Sequence, residues 1–497
     1  MNRNSTGGGR VGKGTLYHMA ARGIFLMSDF AIHVYVARAL GPEVYGIWGV
    51  ILALLAIAAQ PLNSGLSLSV SKYVAEDNRR SSALLVKGIA GQMVLAAILM
   101  SGLIGFSGPI SSLLDAPVLG NYLIQMSIIL PCLGAVAIWL GLFNGLRSFG
   151  RETIVMSAYP LVRSLAAILF ISLGYGLEGI IWGFIVGIGF SVLIAWLLYR
   201  APEERVEFAG SRLTRFAVPV FIMGMVMIAI PNIDLLFVKG MVLDEKDVGV
   251  YNSARTLAKS FYFFFLAIQS TIFPSLVESI SSNDRERTST YIRQGIRYLM
   301  IMALPVTCLI AAPGPDLLVL IFSRVYSGGG GSLTILMFGF TLLTLFSVLT
   351  TILMAGKRSG WAVAACSILM PVDIVLNLIL IPRYQILGAA MATSLTGLFG
   401  VAVASAMVMK EHQTLCGARS LLNIGLASGV VYLLLELAGP TGFMIIPWGF
   451  FSMIAYTLSL SVLGELKADD WIVFRRVLHL SPAFPGAEAG GGRGHGS

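Results

Sequence analysis

Arg255 and Lys259 stand four residues apart in a stretch that is otherwise apolar, with Asn252 and Tyr262 beside them. At about 100° per residue these four fall within about 80° of one another on one helical face. Two cations at this spacing repel each other, so the pair calls for an anion. Asp234, upstream in the chain, would supply it as a static partner; a phosphorylated ligand would supply it in the course of function. A second stripe holds His18, Arg22, Asp29 and His33, within about 60° on one face and spread over about 22 Å of helix. Arg22 and Asp29 either serve a ligand or satisfy each other, with Arg22 reaching toward the nearer surface. Arg163, just after Pro160, is a weaker candidate for the same anion. Asp373 and Asn377 share a face beside Pro371. Together with Asp29, Asp234 and His33 they are candidates for a coupling cation, and a plain interhelical contact is an equal alternative for them.

These side chains carry weight because of what surrounds them. The chain of 497 residues is 56% hydrophobic and 12% charged, with a mean hydropathy of +0.83, whereas soluble proteins carry about 25% charged residues. Fourteen apolar segments are read at 15–37, 46–69, 83–106, 119–143, 153–173, 177–199, 216–238, 249–275, 294–313, 333–355, 360–381, 386–409, 420–438 and 443–464. Each approaches the ~20 residues that a helix needs to cross a bilayer. The expected fold class is therefore an all-α polytopic membrane protein with 14 transmembrane helices, in which every buried charge is a functional candidate.

The connections alternate in charge. Of 34 Lys and Arg residues, 25 belong to the two tails and the even-numbered connections, counting Lys87 and Arg297 just inside the adjoining segments. Only Arg38, Lys239, Lys246, Arg324 and Arg383 belong to the other side. The positive-inside rule then puts both termini in the cytoplasm of a cell-membrane protein. The net charge of +9 reads as cytoplasmic anchoring to anionic lipid headgroups. No basic-aromatic module supports a nucleic-acid partner. Cys132, Cys308, Cys366 and Cys416 lie far apart, with no metal-ligand or disulfide spacing. The first apolar segment is too polar for a signal-peptide core. The run SGGGGS at 327–332 reads as a loop, without the Lys-Ser/Thr pair of a phosphate-binding loop. No cofactor is expected beyond a sodium ion or proton for coupling.

A faint internal repeat organises the segments. Gly145, Arg147, Ser148 and Pro160 fall opposite Gly356, Arg358, Ser359 and Pro371 at a constant offset; after a two-residue slip, Tyr175 and Gly179 meet Tyr384 and Gly388. YGIW at 45–48 echoes VGVY at 248–251. The reading is a cytoplasmic tail at 1–14, a six-helix lobe at 15–199, a linker at 200–215 and a second six-helix lobe at 216–410. An extra helix pair at 411–465 and a tail at 466–497 follow. Two even-numbered bundles entering from one side are related by a pseudo-two-fold axis along the membrane normal, an arrangement used by secondary transporters. Pro219, Pro231 and Pro371 are expected to bend their helices.

Several stretches carry a family resemblance: RALGPEVYGIWGV at 38–50, DVGVYNSARTLA at 247–258, FSRVYSGGGGSLTIL at 322–336 and IPRYQILGAAMATS at 381–394. In order and in place, they resemble the oligosaccharide (O-antigen type) flippases of the multidrug/oligosaccharidyl-lipid/polysaccharide (MOP) superfamily, over essentially residues 15–465. Gln385 and Ser323 stand where that pattern has glycine. The resemblance implies two six-helix lobes in a V around a central cavity. It also implies movement of a polyprenyl-diphosphate-linked oligosaccharide from the cytoplasmic to the outer leaflet, for polysaccharide export. Membrane lipids, and a polysaccharide polymerase or glycosyltransferases, would be its partners. Arg22 and Arg255, with Lys259 beside them, match the cavity cations of the first and eighth helices. A cation-coupled multidrug exporter and a peptidoglycan-precursor flippase are the rival readings. An enzyme acting on the same carrier would need a sizeable outer loop, and the connections on that side are short, so no catalytic residue is assigned.

Overall fold

The computed structural model of the protein describes residues 5–63, 65–200, 217–282, 284–356 and 359–466. The linker expected at 200–215 and the tail at 466–497 fall almost wholly outside them, as does Arg358; the side chains of His18 and Pro219 are also outside the description. Every regular element among the described residues is helical. Helices satisfy every backbone polar group within their own segment, as lipid requires.

In chain order the helices are α1 (Ser5–Asn63), α2 (Leu66–Glu76), α3 (Ser81–Leu113), α4 (Pro117–Ser127), α5 (Ile129–Gly145), α6 (Phe149–Ser172) and α7 (Gly176–Leu198). They continue as α8 (Ala217–Met241), α9 (Glu245–Ser281), α10 (Arg285–Ala311), α11 (Gly314–Ile321), α12 (Gly330–Ala355), α13 (Ser359–His412), α14 (Ala418–Ala438) and α15 (Ile445–Val462). Eleven stretches of the described chain are long and apolar enough to cross a membrane. Two of them, Ala20–Glu76 and Gly360–His412, are 57 and 53 residues long. α9 is not among the eleven, which are drawn from the described residues alone; the side chains of 267–277 lie outside them. α1 begins at Ser5, inside the stretch read from composition as a tail, and the SGGGGS run divides between a 3-10 turn ending at Gly329 and the first turn of α12.

Both double-length helices break at a single residue with positive φ. In α1 it is Gly41 (φ 81°); in α13 it is Gln385 (φ 53°). Gln385 is one of the two positions where the sequence departs from an expected glycine, and the backbone there adopts a conformation that glycine tolerates best. Gly176, which opens α7, has the same φ of 53° and stands opposite Gln385 at the offset that aligns Tyr175 with Tyr384.

Small residues let the helices approach. A Cβ on Gly141 or Gly145 of α5 would collide with the Ser67 or Ser71 carbonyl of α2, the small-xxx-small device of membrane helix packing. At the end that carries the even-numbered connections, Glu465 ties α14 and α15 to α10. It accepts from Ser420 (2.7 Å), Asn423 (3.1 Å) and Arg297 (3.3 Å), and Arg297 also reaches its carbonyl. Burial pushes the Glu465 carboxyl up, but these donors together hold it below its ordinary value.

Candidate functional site

The polar interior is built around one interrupted turn of α8. Pro231 has no N–H to give the helix ladder. Three residues on, Asp234 accepts the backbone N–H of Leu235 at 2.7 Å. The Pro231 carbonyl accepts from the Nε (3.2 Å) and Nη2 (2.9 Å) of Arg255 in α9. Asn232 donates to the Ile228 carbonyl at 2.6 Å, which fixes its amide. Its Oδ1 then accepts from Arg255 Nη2 at 2.6 Å and from Lys259 Nζ at 2.7 Å. Asp234 closes the socket, with Oδ1 3.2 Å from Arg255 Nε and Oδ2 accepting from the Tyr251 hydroxyl at 2.7 Å. Arg255, Asn232 and Asp234 are buried, and Lys259 is half-buried. The socket thus holds two cations on one shared amide oxygen and one carboxylate.

The stripe on α1 is arranged differently from the simplest expectation. Asp29 pairs with Arg163 of α6 at 2.8 Å, while Arg22, about two turns away, is exposed. The pairing follows from local packing. Ser28 donates to the Pro160 carbonyl (2.7 Å) and meets Ser164 (2.9 Å), which seats α1 on α6. Gly187 of α7 leaves room for the Arg163 backbone. The guanidinium of Arg163 then lies over the rings of Tyr159 (5.2 Å) and Phe184 (4.7 Å), a cation–π box. Its Nε has no acceptor among the described residues. The Asp29 side chain keeps 38% of its surface exposed, so the ion pair borders open space on one side. His33 faces the Tyr45 hydroxyl (Nδ1 to Oη 3.1 Å), and Tyr45 in turn meets Thr256 Oγ1 of α9 at 3.1 Å.

Two of the expected ligand-facing residues are turned elsewhere. Asn252 is fully buried where α1 crosses α9; its amide donates to the Tyr45 carbonyl at 3.1 Å and its oxygen receives Arg255 Nη1 at 3.3 Å. Tyr262 packs against Phe340 of α12 at 5.5 Å between ring centroids.

A second cluster lies on α13. Asp373 and Asn377 are fully buried. Asp373 receives the Thr396 hydroxyl (3.0 Å) and the Asn377 amide (3.2 Å), both neutral donors, and among the described residues the Asn377 oxygen has no hydrogen-bond partner. Asp373 lies within electrostatic reach of Asp234, and Lys259 within reach of Asp29 and Asp234. The two clusters and the α1 pair therefore share one field. Three cations (Arg163, Arg255, Lys259) and three carboxylates (Asp29, Asp234, Asp373) lie in it. Among the described residues no three His, Cys, Asp or Glu side chains converge as a metal site.

Asn232, Thr396, Tyr45 and Tyr251 complete these networks and were not singled out by sequence reasoning. An asparagine directly after a mid-span proline is the signal that would have found the first.

The sequence profile of a family described as "Polysaccharide biosynthesis protein" matches residues 35–328. The chain is 23% identical over 464 residues to a probable low-salt glycan biosynthesis flippase, Agl15, of Haloferax volcanii, covering 90% of this chain and 94% of that one. Among solved structures it resembles the lipid II flippase MurJ in an inward closed conformation, with a TM-score of 0.70 at 16% identity over 93% of this chain and 99% of that one. It also resembles an inward-facing multidrug resistance MATE family transporter of the MOP superfamily, with a TM-score of 0.66 at 14% identity over 78% of this chain and 95% of that one.

Proposed function

The chain belongs to the polysaccharide biosynthesis protein family, and on that premise we propose that it is a flippase moving a polyprenyl-diphosphate-linked oligosaccharide across the cell membrane by alternating access. The observation that carries this reading is the cation surplus of the α8–α9 socket. Lys259 and Arg255 share the Asn232 oxygen, and one carboxylate faces two positive charges. A diphosphate supplies the missing negative charge through charge-assisted hydrogen bonds. Its sugar and phosphates need such a polar path because hydrocarbon excludes them. The glycan-flippase name of the Haloferax volcanii relative supports the same substrate class.

In this reading the membrane is crossed fourteen times: the two double-length helices count twice and α9 joins the eleven. Two six-helix lobes rock about the cavity, the helix pair α14–α15 lies beside them, and both termini are cytoplasmic. The connections around 38–45, 239–248 and 313–332 then face outward. Energy enters through a cation at Asp373, which is buried among neutral donors beside the Asn377 oxygen, unpartnered among the described residues.

The test is a reconstituted-liposome assay. A labelled polyprenyl-diphosphate oligosaccharide is followed between leaflets, with a cationic dye and a peptidoglycan lipid precursor in parallel. Movement of the oligosaccharide lipid that is weakened about tenfold in Lys259→Gln supports the reading. Dye movement driven by a sodium or proton gradient, without lipid movement, makes the chain a drug exporter. Movement of the peptidoglycan precursor alone makes it a flippase of that lipid.

A further inference from the structure

The echo between YGIW (45–48) and VGVY (248–251) relates residue 46 to 249 and residue 49 to 252, at a constant offset of 203. In the structure these are the residues that touch. A Cβ on Gly46 would stand 2.9 Å from the Gly249 nitrogen, and one on Gly49 would collide with the Asn252 amide. A residue can contact its own repeat mate only where the axis relating the repeats passes between them. The second half of α1 and the start of α9 therefore cross on that axis, at the end of the bundle that carries the odd-numbered connections.

The crossing is tightest at Gly49 and Gly249, where nothing larger than glycine fits. A Cβ on Gly249 would also collide with the Pro42 carbonyl. Below it, towards Arg255, Asn252 donates to the Tyr45 carbonyl and the Tyr45 hydroxyl reaches Thr256. Above it, the segment from α11 to α12 lies across the junction. Arg38 at the end of the first half of α1 donates Nε to the Ile321 carbonyl at 2.8 Å and Nη2 to the Leu320 carbonyl at 2.6 Å. Those carbonyls belong to the last turn of α11, where no further helical N–H is available to them. Tyr326 donates to the Ala37 carbonyl at 2.8 Å, and its ring meets those of Tyr45 (6.1 Å) and Phe322 (5.7 Å).

We propose that this crossing is the closed outer gate of the protein, with Gly46 and Gly249 as its seam and Arg38, holding the C-terminal carbonyls of α11, as its latch. The proposal rests on the flippase reading for what passes the gate, and on the contacts alone for where the gate is. Every tier joins the first six-helix lobe to the second, so a path to the outer side through the socket opens only when all of them part. Arg38 is exposed, whereas Thr256 sits beneath the seam and is buried. The latch thus releases first and the seam last.

The experiment pairs Gly46→Cys with Val248→Cys, because a Cβ at 46 stands 3.2 Å from Val248 Cβ, a small shift from the roughly 3.5–4.5 Å of a disulfide. The four native cysteines are replaced by alanine, and a protease site is placed at 201–216 so that a cross-link keeps the two halves together on a non-reducing gel. In liposomes, oxidation is expected to form the cross-link and stop oligosaccharide-lipid transfer, and reductant to restore it. In a separate single-cysteine chain, Thr256→Cys reports opening through its labelling by an impermeant maleimide from outside. Adding Arg38→Ala is expected to speed that labelling about fivefold, the loss of ~1 kcal/mol of hydrogen bonding at the latch. Full transfer by the cross-linked chain overturns the gate and leaves the substrate reading standing. Labelling of Thr256→Cys that ignores Arg38→Ala overturns the latch. If no lipid moves in any state while Arg38→Ala still speeds labelling, the gate stands and the substrate reading falls.

Discussion

The α8–α9 socket and the α13 cluster each set an aspartate beside an asparagine, but only the socket adds cations. In the socket, Arg255 and Lys259 converge on one amide oxygen and share a single carboxylate. In the α13 cluster, Asp373 has only neutral donors, and among the described residues the Asn377 oxygen beside it has none. Burial makes an unpaired charge costly, so neither cluster is complete as it stands. On the proposed function, an anionic substrate completes the socket and a coupling cation completes the α13 cluster. The two clusters lie within reach of each other, through Asp234 and Asp373. An anionic substrate and a coupling cation then affect each other's binding, by the reciprocity that links any two sites in one molecule.

The largest effect is expected from removing the carboxylate that the socket does have. Asp234→Ala leaves Arg255 buried without its ion partner and should cost about 3–5 kcal/mol, read as a fall in thermal unfolding midpoint in detergent; an unchanged midpoint would show that Pro231 and Asn232 hold Arg255 unaided. Lys259→Gln removes one cation and keeps the fold. It should weaken capture of the oligosaccharide lipid about tenfold, the value of one hydrogen bond to a charged group of ~1.5 kcal/mol. Lys259→Arg should restore it, and equal transport by all three chains would remove Lys259 from the site. In the other cluster, Asp373→Asn should abolish any rise in unfolding midpoint on adding sodium and shift the ion-free midpoint by no more than ~1 kcal/mol equivalent. A sodium response that survives would place the cation elsewhere.

Glu465→Gln is the control, distant from both clusters, with an expected cost of about 1 kcal/mol. The Glu465 carboxyl is held below its ordinary value. Its contribution is therefore complete above the unfolded carboxylate value of about 4.3 and is lost as pH falls through the lower folded one. Stability measured between neutral pH and pH 3 should differ between parent and variant at the upper end and converge at the lower. Parallel curves would remove the carboxylate charge from the contact.

What the sequence discloses differs between the two levels. Apolar run length names the helices because it needs only neighbours in the chain. The special backbone at Gln385 is marked instead by the family resemblance, whose pattern has glycine there. The membrane charges are equally visible, since each stands alone in an apolar run. Their partners are not. Asp29 shares a helical face with Arg22, but its carboxylate pairs with Arg163, 134 positions away, because Ser28 and Gly187 bring α6 and α7 against α1. Asn252 lies on the polar face of α9, but that face meets the α1 crossing at its own position and the socket one turn on. Periodicity fixes a direction from the helix axis; which neighbour stands in that direction is decided by packing.

α9 runs from Glu245 to Ser281 without a break, and Gly249, where it crosses α1, is near one end. At 1.5 Å per residue, the distance from that crossing to Ser281 is about 48 Å. A rod pinned so close to one tip is a lever with very unequal arms. A rotation of 10° at the pin would carry the far tip through about 8 Å on this rise per residue, while the residues at the seam move by a small fraction of that. Small adjustments between two glycines are in this way geared up into displacements on the opposite side of the bilayer.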